Sequence, residues 1–295
     1  MKQVKMLKHA LKNKYIVPAF NATNFEILKA VLFAGIETKS PLIIQFSESA
    51  IEYFGDEILS GIVKSVKSIN HPISIHLDHG KNFELVKRAI KLGFDSVMID
   101  GSTLPYEDNV SLTKQVVKYA HMRRVSVEGE LGVLAISEDD GAEGVSNFTN
   151  PKQAKEFVEK TGVDSLAISI GTNHGINKFS GEPKIRYDIL TEIETLMPDF
   201  PIVLHGASLI EKKYVDKFRK FGGEIKKAVG NENLLKNAYK SNICKINMDT
   251  DFRLAYSSAV RKCLTENQSS FNPRDFGLAG YDSVKECAKN RIIKI

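Results

Sequence analysis

The chain has no tryptophan and only 3 cysteines and 9 prolines in 295 residues. Cys244, Cys263 and Cys287 are an odd number without metal-ligand spacing, which excludes a disulfide scaffold and points to free thiols in a reducing compartment. No apolar run approaches the ~18–20 residues that a membrane span needs. The opening MKQVKMLK is charged and lacks the apolar centre of a signal peptide. Charge of one sign is not concentrated either: 41 Lys and Arg against 36 Asp and Glu leave +5, spread along the chain. That excess points weakly to small anionic ligands and gives no support for nucleic acid, since no basic–aromatic surface motif accompanies it. Low-complexity linkers and short repeats are missing. What is present is an ordinary folded composition, 42% hydrophobic and 26% charged. A soluble cytoplasmic protein without a membrane or nucleic-acid partner is expected.

Short β-rich apolar runs alternate with longer amphipathic stretches. The runs are 17–21, 42–47, 73–78, 96–100, 125–131, 165–170, 202–205 and 244–247. Helical patterns cover 25–37, 57–69, 83–92, 107–121 and 151–160. Such alternation implies parallel strands joined by crossover helices. Eight units in 295 residues fit an α/β fold, a (β/α)8 TIM barrel forming one domain over 1–295. The alternative is an open doubly wound sheet, but no Gly-x-Gly-x-x-Gly turn follows the first strand. The segments 132–150 and 208–241 exceed ordinary loop length, so long functional loops are expected after strands 5 and 7.

In such a barrel the chemistry sits at the C-terminal strand ends. Each expected strand ends in polar residues. In order they are Asn21, Ser47, Asp78-His79, Asp100, Glu128 with Glu130, Thr172-Asn173-His174-Gly175, His205-Gly206-Ala207-Ser208 and Asn247-Met248-Asp249-Thr250. One polar loop edge is ordinary; eight on one face are not. His79, His174 and His205 stand at the ends of strands 3, 6 and 7. Three imidazoles with an open fourth position make a catalytic zinc site, although neutral imidazoles also suit iron and nickel. Three unrelated hydrogen-bonded histidines are the alternative. Asp78, Asp100, Glu130 and the run Glu138-Asp139-Asp140 surround this position as ligands or proton carriers. Alone, the acidic run reads as a solvated loop. His76 shares the Asp78 face one layer deeper and reads as a core histidine rather than a support for the metal. His9, His71 and His121 read as surface residues. Phosphate sites in barrels form after strands 7 and 8, where the small residues here suit an anion nest. Asp249 would repel a phosphate and suits a hydroxyl.

Six motifs occur in order: HLDHG at 76–80, VMIDGS at 97–102, VEGELG at 127–132, IGTNHG at 170–175, LHGAS at 204–208 and KINMDTD at 245–251. Together with Pro18-Ala19-Phe20-Asn21 and Phe271-Asn272-Pro273-Arg274 they resemble the class II, metal-dependent fructose-1,6-bisphosphate aldolases over essentially the whole chain. The resemblance implies a dimeric or tetrameric barrel acting on a small phosphorylated sugar. The implied reaction is reversible cleavage of fructose 1,6-bisphosphate to dihydroxyacetone phosphate and glyceraldehyde 3-phosphate. It implies that His79, His174 and His205 hold a catalytic Zn2+, with Asp100 and Glu130 lining a second, looser site for a divalent or monovalent cation. Asp78 is implied as the proton carrier at the C4 hydroxyl. Glu138, on the loop after strand 5, is implied to exchange the proton at C3. Asn21 would line the substrate site. Gly175, Gly206, Ser208, Asn247, Asp249 and Thr250 would bind the dihydroxyacetone phosphate half, with Lys178 closing on its phosphate. Ser47 and Arg274 would meet the other phosphate, Arg274 from a neighbouring subunit.

Two features depart from the pattern. The lead-in Val133-Leu134-Ala135-Ile136-Ser137 is apolar where related proteins often carry glycine, and Met248 stands where a small or β-branched residue is commoner. Met248 is expected to point away from the ligand. Three rivals remain at this point. Tagatose-1,6-bisphosphate aldolases share the metal motifs and differ in substrate configuration at C4, although the insert at 221–227 looks like the fructose branch. A Schiff-base aldolase would use Lys245, but no neighbour is evident that would depress its pKa. A catalytically inactive barrel has no reason to keep His79, His174, His205, Asp78 and Glu130 together.

Overall fold

Eight parallel strands close on themselves in chain order, each pairing with its sequence neighbours and β1 with β8. They are β1 (Val17–Asn21), β2 (Leu42–Phe46), β3 (Ile73–Gly80), β4 (Ser96–Ile99), β5 (Ser126–Leu131), β6 (Ser165–Ile168), β7 (Ile202–Leu204) and β8 (Ile243–Met248). Around them run α1 (Lys2–Asn13), α2 (Phe25–Thr38), α3 (Glu48–Phe54), α4 (Asp56–Ser68), α5 (Phe83–Lys91), α6 (Tyr106–His121), α7 (Pro151–Thr161), α8 (Tyr187–Leu196), α9 (Lys212–Lys220), α10 (Thr250–Glu266) and α11 (Pro273–Ile293). The computed structural model describes residues 2–133, 147–172, 185–225, 238 and 241–293. The expected (β/α)8 barrel is therefore present, with boundaries close to those read from the apolar runs.

Local chemistry explains the element starts. Asn24, Asn82 and Asn150 each accept a backbone N–H from the first turn of the helix that follows, and Pro151 opens α7 where its missing N–H costs nothing. The strands are buried on both faces, as parallel strands must be. Outward residues such as Phe20, Ile44, Phe46, Leu77, Val97, Ile246 and Met248 join the main core under the helices. Met248 thus points away from the barrel mouth, as expected. Inward, Val17, Ala19, Ile43 and Cys244 pack against Leu7 and Ala10 of α1, which plugs the N-terminal end of the barrel. Met98, Ala167 and Val203 fill part of the middle. The rest of the interior is polar.

The 208–241 segment is not all loop, because it carries α9. The sequence KKYVDKFRK hides this helix: only Tyr214 and Val215 are buried, so its apolar stripe is too narrow to read. The base of the segment after β5 is pinned by a bridge between Val133 and Asn147, with Gly132 at φ +91. Among the described residues no helix is long and apolar enough to cross a membrane. All three cysteines are free thiols.

β3 carries the irregularity that matters. Its register with β4 shifts between Leu77 and Gly80, and His79 sits at φ 47. Gly80 then passes so close to β4 that a Cβ there would lie 2.4 Å from the Met98 carbonyl oxygen. Gly80→Ala is expected to cost about 1–3 kcal/mol, since backbone rather than a flexible side chain must yield. A lowered urea midpoint at unchanged m-value would show it.

Candidate active site

The bulge places two adjacent residues, Asp78 and His79, at the same barrel mouth. A regular strand would send them to opposite faces. His79 Nδ1 donates to Asp100 Oδ2 at 2.9 Å and lies 3.5 Å from Glu130 Oε2. His205, from the end of β7, donates through Nε2 to Glu128 Oε1 at 3.0 Å. These partners assign both tautomers, and the remaining nitrogens, His79 Nε2 and His205 Nδ1, face each other at 2.9 Å. The two rings stand at 86° to each other, with centroids 4.6 Å apart. Asp78 completes the group: one ligand atom from each of Asp78, His79 and His205 lies within 4.8 Å of the others. A second set, His79, Asp100 and Glu130, satisfies the same measure and shares His79 with the first.

Two imidazole lone pairs that close need a proton or a cation between them. In the protein alone the surroundings of His79 favour a charged ring. Burial opposes its charge, but Asp78, Asp100 and Glu130 outweigh burial and push it up to about 10. His205 is held well below its usual value, by burial first and then by the charge on His79. Burial also works against ionised Asp78 and Asp100. The imidazole of His79 and the N–H and O–H groups around each carboxylate prevail, and both are lowered. Glu130 is raised well above the carboxylate range, by burial and then by Asp100. Its Oε2 is buried without a hydrogen-bond donor among the described residues. An orphaned carboxylate oxygen beside two converging imidazoles, each anchored by a carboxylate on its other nitrogen, fits a divalent cation.

The supports of this cluster run down the barrel axis. Glu128 Oε2 pairs with Lys245 Nζ at 2.8 Å, both side chains fully buried. Lys245 Nζ also donates to His76 Nε2 at 3.1 Å, and His76 Nδ1 meets Ser96 Oγ at 3.0 Å. At the mouth, Asp78 accepts from Asn21 Nδ2 at 2.7 Å and from Asn247 Nδ2 at 3.0 Å. Gln45 Nε2 in turn donates to Asn21 Oδ1 at 2.6 Å. His76 is thus no isolated core histidine; it belongs to the chain of polar groups that ends on His205. Lys245 Nζ is committed to Glu128 and His76 below the mouth, an arrangement that supports the cluster rather than a Schiff-base role.

The sequence profile described as "Fructose-bisphosphate aldolase class-II" matches residues 1–295. The chain belongs to that family. It is 45% identical to a fructose-bisphosphate aldolase of Treponema pallidum, over 94% of this chain and 90% of that protein. It is 42% identical to one from Thermus caldophilus, over 98% of this chain and 95% of that protein. The crystal structure of the YdjI aldolase from Escherichia coli K12 superposes with a TM-score of 0.78 at 28% identity, covering 99% of this chain and 95% of that one. Class II aldolases are metal-dependent, and the imidazole–carboxylate cluster supplies the candidate ligands.

The remaining class II residues expected from the sequence are placed unevenly. Asn21 and Asn247 are buried against Asp78. Gly206 has φ +65, Ser208 is buried and accepts from the Asp249 N–H at 3.4 Å, and Thr250 is buried at the start of α10. Asp249 pairs with Arg253 at 2.8 Å, so its charge is countered and its repulsion of a phosphate is weaker than the sequence suggests. Ser47 is occupied as the N-cap of α3, accepting from Ala50 N. Arg274 is exposed, and its contacts stay with Asn272 at the start of α11. His174, Gly175, Lys178 and Glu138 lie outside the described residues. His71 and His121 are not simple surface residues: both are half-buried, bonded to the Ser40 carbonyl at 2.7 Å and to Asp164 at 2.9 Å. His9 is exposed, as expected. Sequence reading gave Gln45 and Glu128 no role. Their signal was strand alternation, which sets Glu128 on the face of Glu130 and pairs Gln45 with Asn21 in register.

Proposed function

We propose that this protein cleaves fructose 1,6-bisphosphate reversibly to dihydroxyacetone phosphate and glyceraldehyde 3-phosphate, with zinc as its catalytic metal. The observation that carries the reading is the convergence of His79, His205 and Asp78 at the barrel mouth, each held by a partner on its far side. His174 is the proposed third imidazole. Zinc, when bound, supplies Lewis-acid stabilisation of the negative charge that develops as the C3–C4 bond breaks.

The chain's own residues do the rest. Asp78, whose carboxyl is held below its ordinary value by the charge on His79 against the opposing effect of burial, takes the proton from the C4 hydroxyl. Asn21 and Asn247 fix its carboxylate, so its orientation is set before substrate arrives. Glu128 and Asp100 hold the two imidazoles in one tautomer. Asp100 and Glu130 are the proposed lining of a second cation position. Gly206, Ser208, Asp249 and Thr250, at the ends of β7 and β8, take the dihydroxyacetone phosphate half with Gly175 and Lys178. Ser47 and Arg274 take the other phosphate, Arg274 from a neighbouring subunit of a homo-oligomer. Glu138 returns the proton at C3.

The test is coupled cleavage of fructose 1,6-bisphosphate and tagatose 1,6-bisphosphate side by side, with EDTA and with zinc add-back. Preference for the fructose ester, lost to EDTA and restored by zinc, is the expected result. Equal or reversed preference would move the protein to the tagatose ester with the same metal chemistry. Activity that survives EDTA would overturn the metal site.

A further inference from the structure

Arg291 lies near the end of α11, far along the chain from every motif of the site, yet it is fully buried. Its guanidinium spans two carboxylates. One Nη meets Asp251 Oδ1 at 2.6 Å, and the other meets Glu211 Oε1 at 2.7 Å. Asp251 is itself buried, in the first turn of α10 and one residue after Thr250. Its two oxygens accept the backbone N–H groups of Leu209 at 3.0 Å and Ile210 at 2.9 Å. Those residues directly follow Ser208 in the loop that leaves β7. Ile210 is held at φ 46, a conformation that a β-branched residue rarely adopts and that needs outside support. Glu211 is the N-cap residue immediately before α9. Without a cation between them, Asp251 and Glu211 would be two carboxylates converging in a largely buried space.

We propose that Arg291 is a positioning residue for substrate phosphate: the C-terminal helix, through Arg291 and Asp251, sets the conformation of the β7 loop that carries Gly206 and Ser208. The inference rests on the reading of that loop and of Thr250 as a phosphate cradle. A phosphate bound by backbone N–H groups depends on where the backbone lies. Asp251 fixes the Leu209–Ile210 backbone to the helix that starts at Thr250, and the Arg291 guanidinium pairs with that buried carboxylate. Asp251 has both oxygens committed to the loop, so a shift of its carboxylate moves the loop with it.

The test uses full-length zinc-loaded protein carrying Arg291→Met, Arg291→Lys or Glu211→Gln. The readouts are KM and kcat for fructose 1,6-bisphosphate, the inhibition constant of inorganic phosphate, zinc content and Tm. Arg291→Met is expected to raise KM and the phosphate inhibition constant about tenfold, with kcat within about threefold and zinc content unchanged. Arg291→Lys can meet one carboxylate but not both in this geometry, so it should recover part of the loss. Glu211→Gln, which leaves the Asp251 contact in place, should shift both constants in the same direction by less. A fall in Tm with KM and phosphate inhibition unchanged would overturn the proposal, as would a loss confined to kcat. If Arg291→Met does not fold, the other two variants decide the matter by the same readouts. If the wild type does not cleave the sugar bisphosphate, the functional reading fails separately, and calorimetric binding of inorganic phosphate to wild type and variants still decides this one.

Discussion

Asp78→Ala is expected to keep its zinc and lose turnover by about 10²–10⁴-fold, the range that a positioned general base contributes. The geometry makes the loss specific to proton transfer. Asp78 is buried, its carboxyl is held below its ordinary value, and two amides hold it, Asn21 at 2.7 Å and Asn247 at 3.0 Å. The imidazoles of His79 and His205 have their own carboxylate anchors, Asp100 and Glu128, so the orientation of these proposed ligands does not depend on Asp78. Zinc content by elemental analysis, measured beside kcat for cleavage, separates the two roles. Wild-type-like turnover would remove Asp78 from the reaction. Loss of zinc along with turnover would make Asp78 a ligand first and a base second. Asp78→Asn is the useful companion, because it keeps the shape but cannot take the proton.

Lys245→Met is expected to destabilise the fold by about 3–5 kcal/mol, because it strands a carboxylate in the barrel interior. Glu128 has two commitments: Oε1 accepts from His205 and Oε2 meets Lys245 at 2.8 Å, with both side chains of that pair fully buried. Removing the ammonium leaves Glu128 to ionise without compensation or to take up a proton. A protonated Glu128 is a weaker acceptor for the His205 N–H, so zinc affinity should fall together with stability. Urea unfolding of the single variant and of Lys245→Met with Glu128→Gln tests this. The double variant should regain part of the lost stability, since no uncompensated charge remains. A single variant as stable as wild type would mean that the pair contributes nothing to the interior, and the account of how His205 is held would fail with it.

Much of this molecule is legible in its sequence. Eight apolar runs became eight strands, and the barrel that their alternation implies closes in chain order. The ends of β1, β3, β4, β5, β7 and β8 carry residues of the candidate cluster or of its hydrogen-bond partners, whereas Ser47 after β2 caps α3. The candidate metal cluster was legible because His79, His205, Asp78, Asp100 and Glu130 stand at strand ends, where the fold concentrates chemistry. Gln45 and His76 escaped that logic, and Glu128, flagged beside Glu130, was given no role. They lie one layer below the mouth, where periodicity says "inward" and nothing in a single sequence says what an inward polar group touches. The α9 helix escaped because its buried face is two residues wide.

The sequence by itself determined the alternation of elements, the face on which chemistry gathers and the residue types available for it. Hydrophobic periodicity and strand-end polarity are local properties, and local properties survive in one dimension. Only the tertiary structure decided which of those residues meet. A shift in register between Leu77 and Gly80 with a left-handed backbone at His79 turns two neighbours toward one point, which alternation alone forbids. Closure of the sheet sets His205 of one strand end 2.9 Å from His79 of another, 126 positions away. Packing of the C-terminal helix places Arg291 against Asp251, 40 positions back. The last two are long-range pairings, settled by burial and charge compensation only when the whole barrel closes.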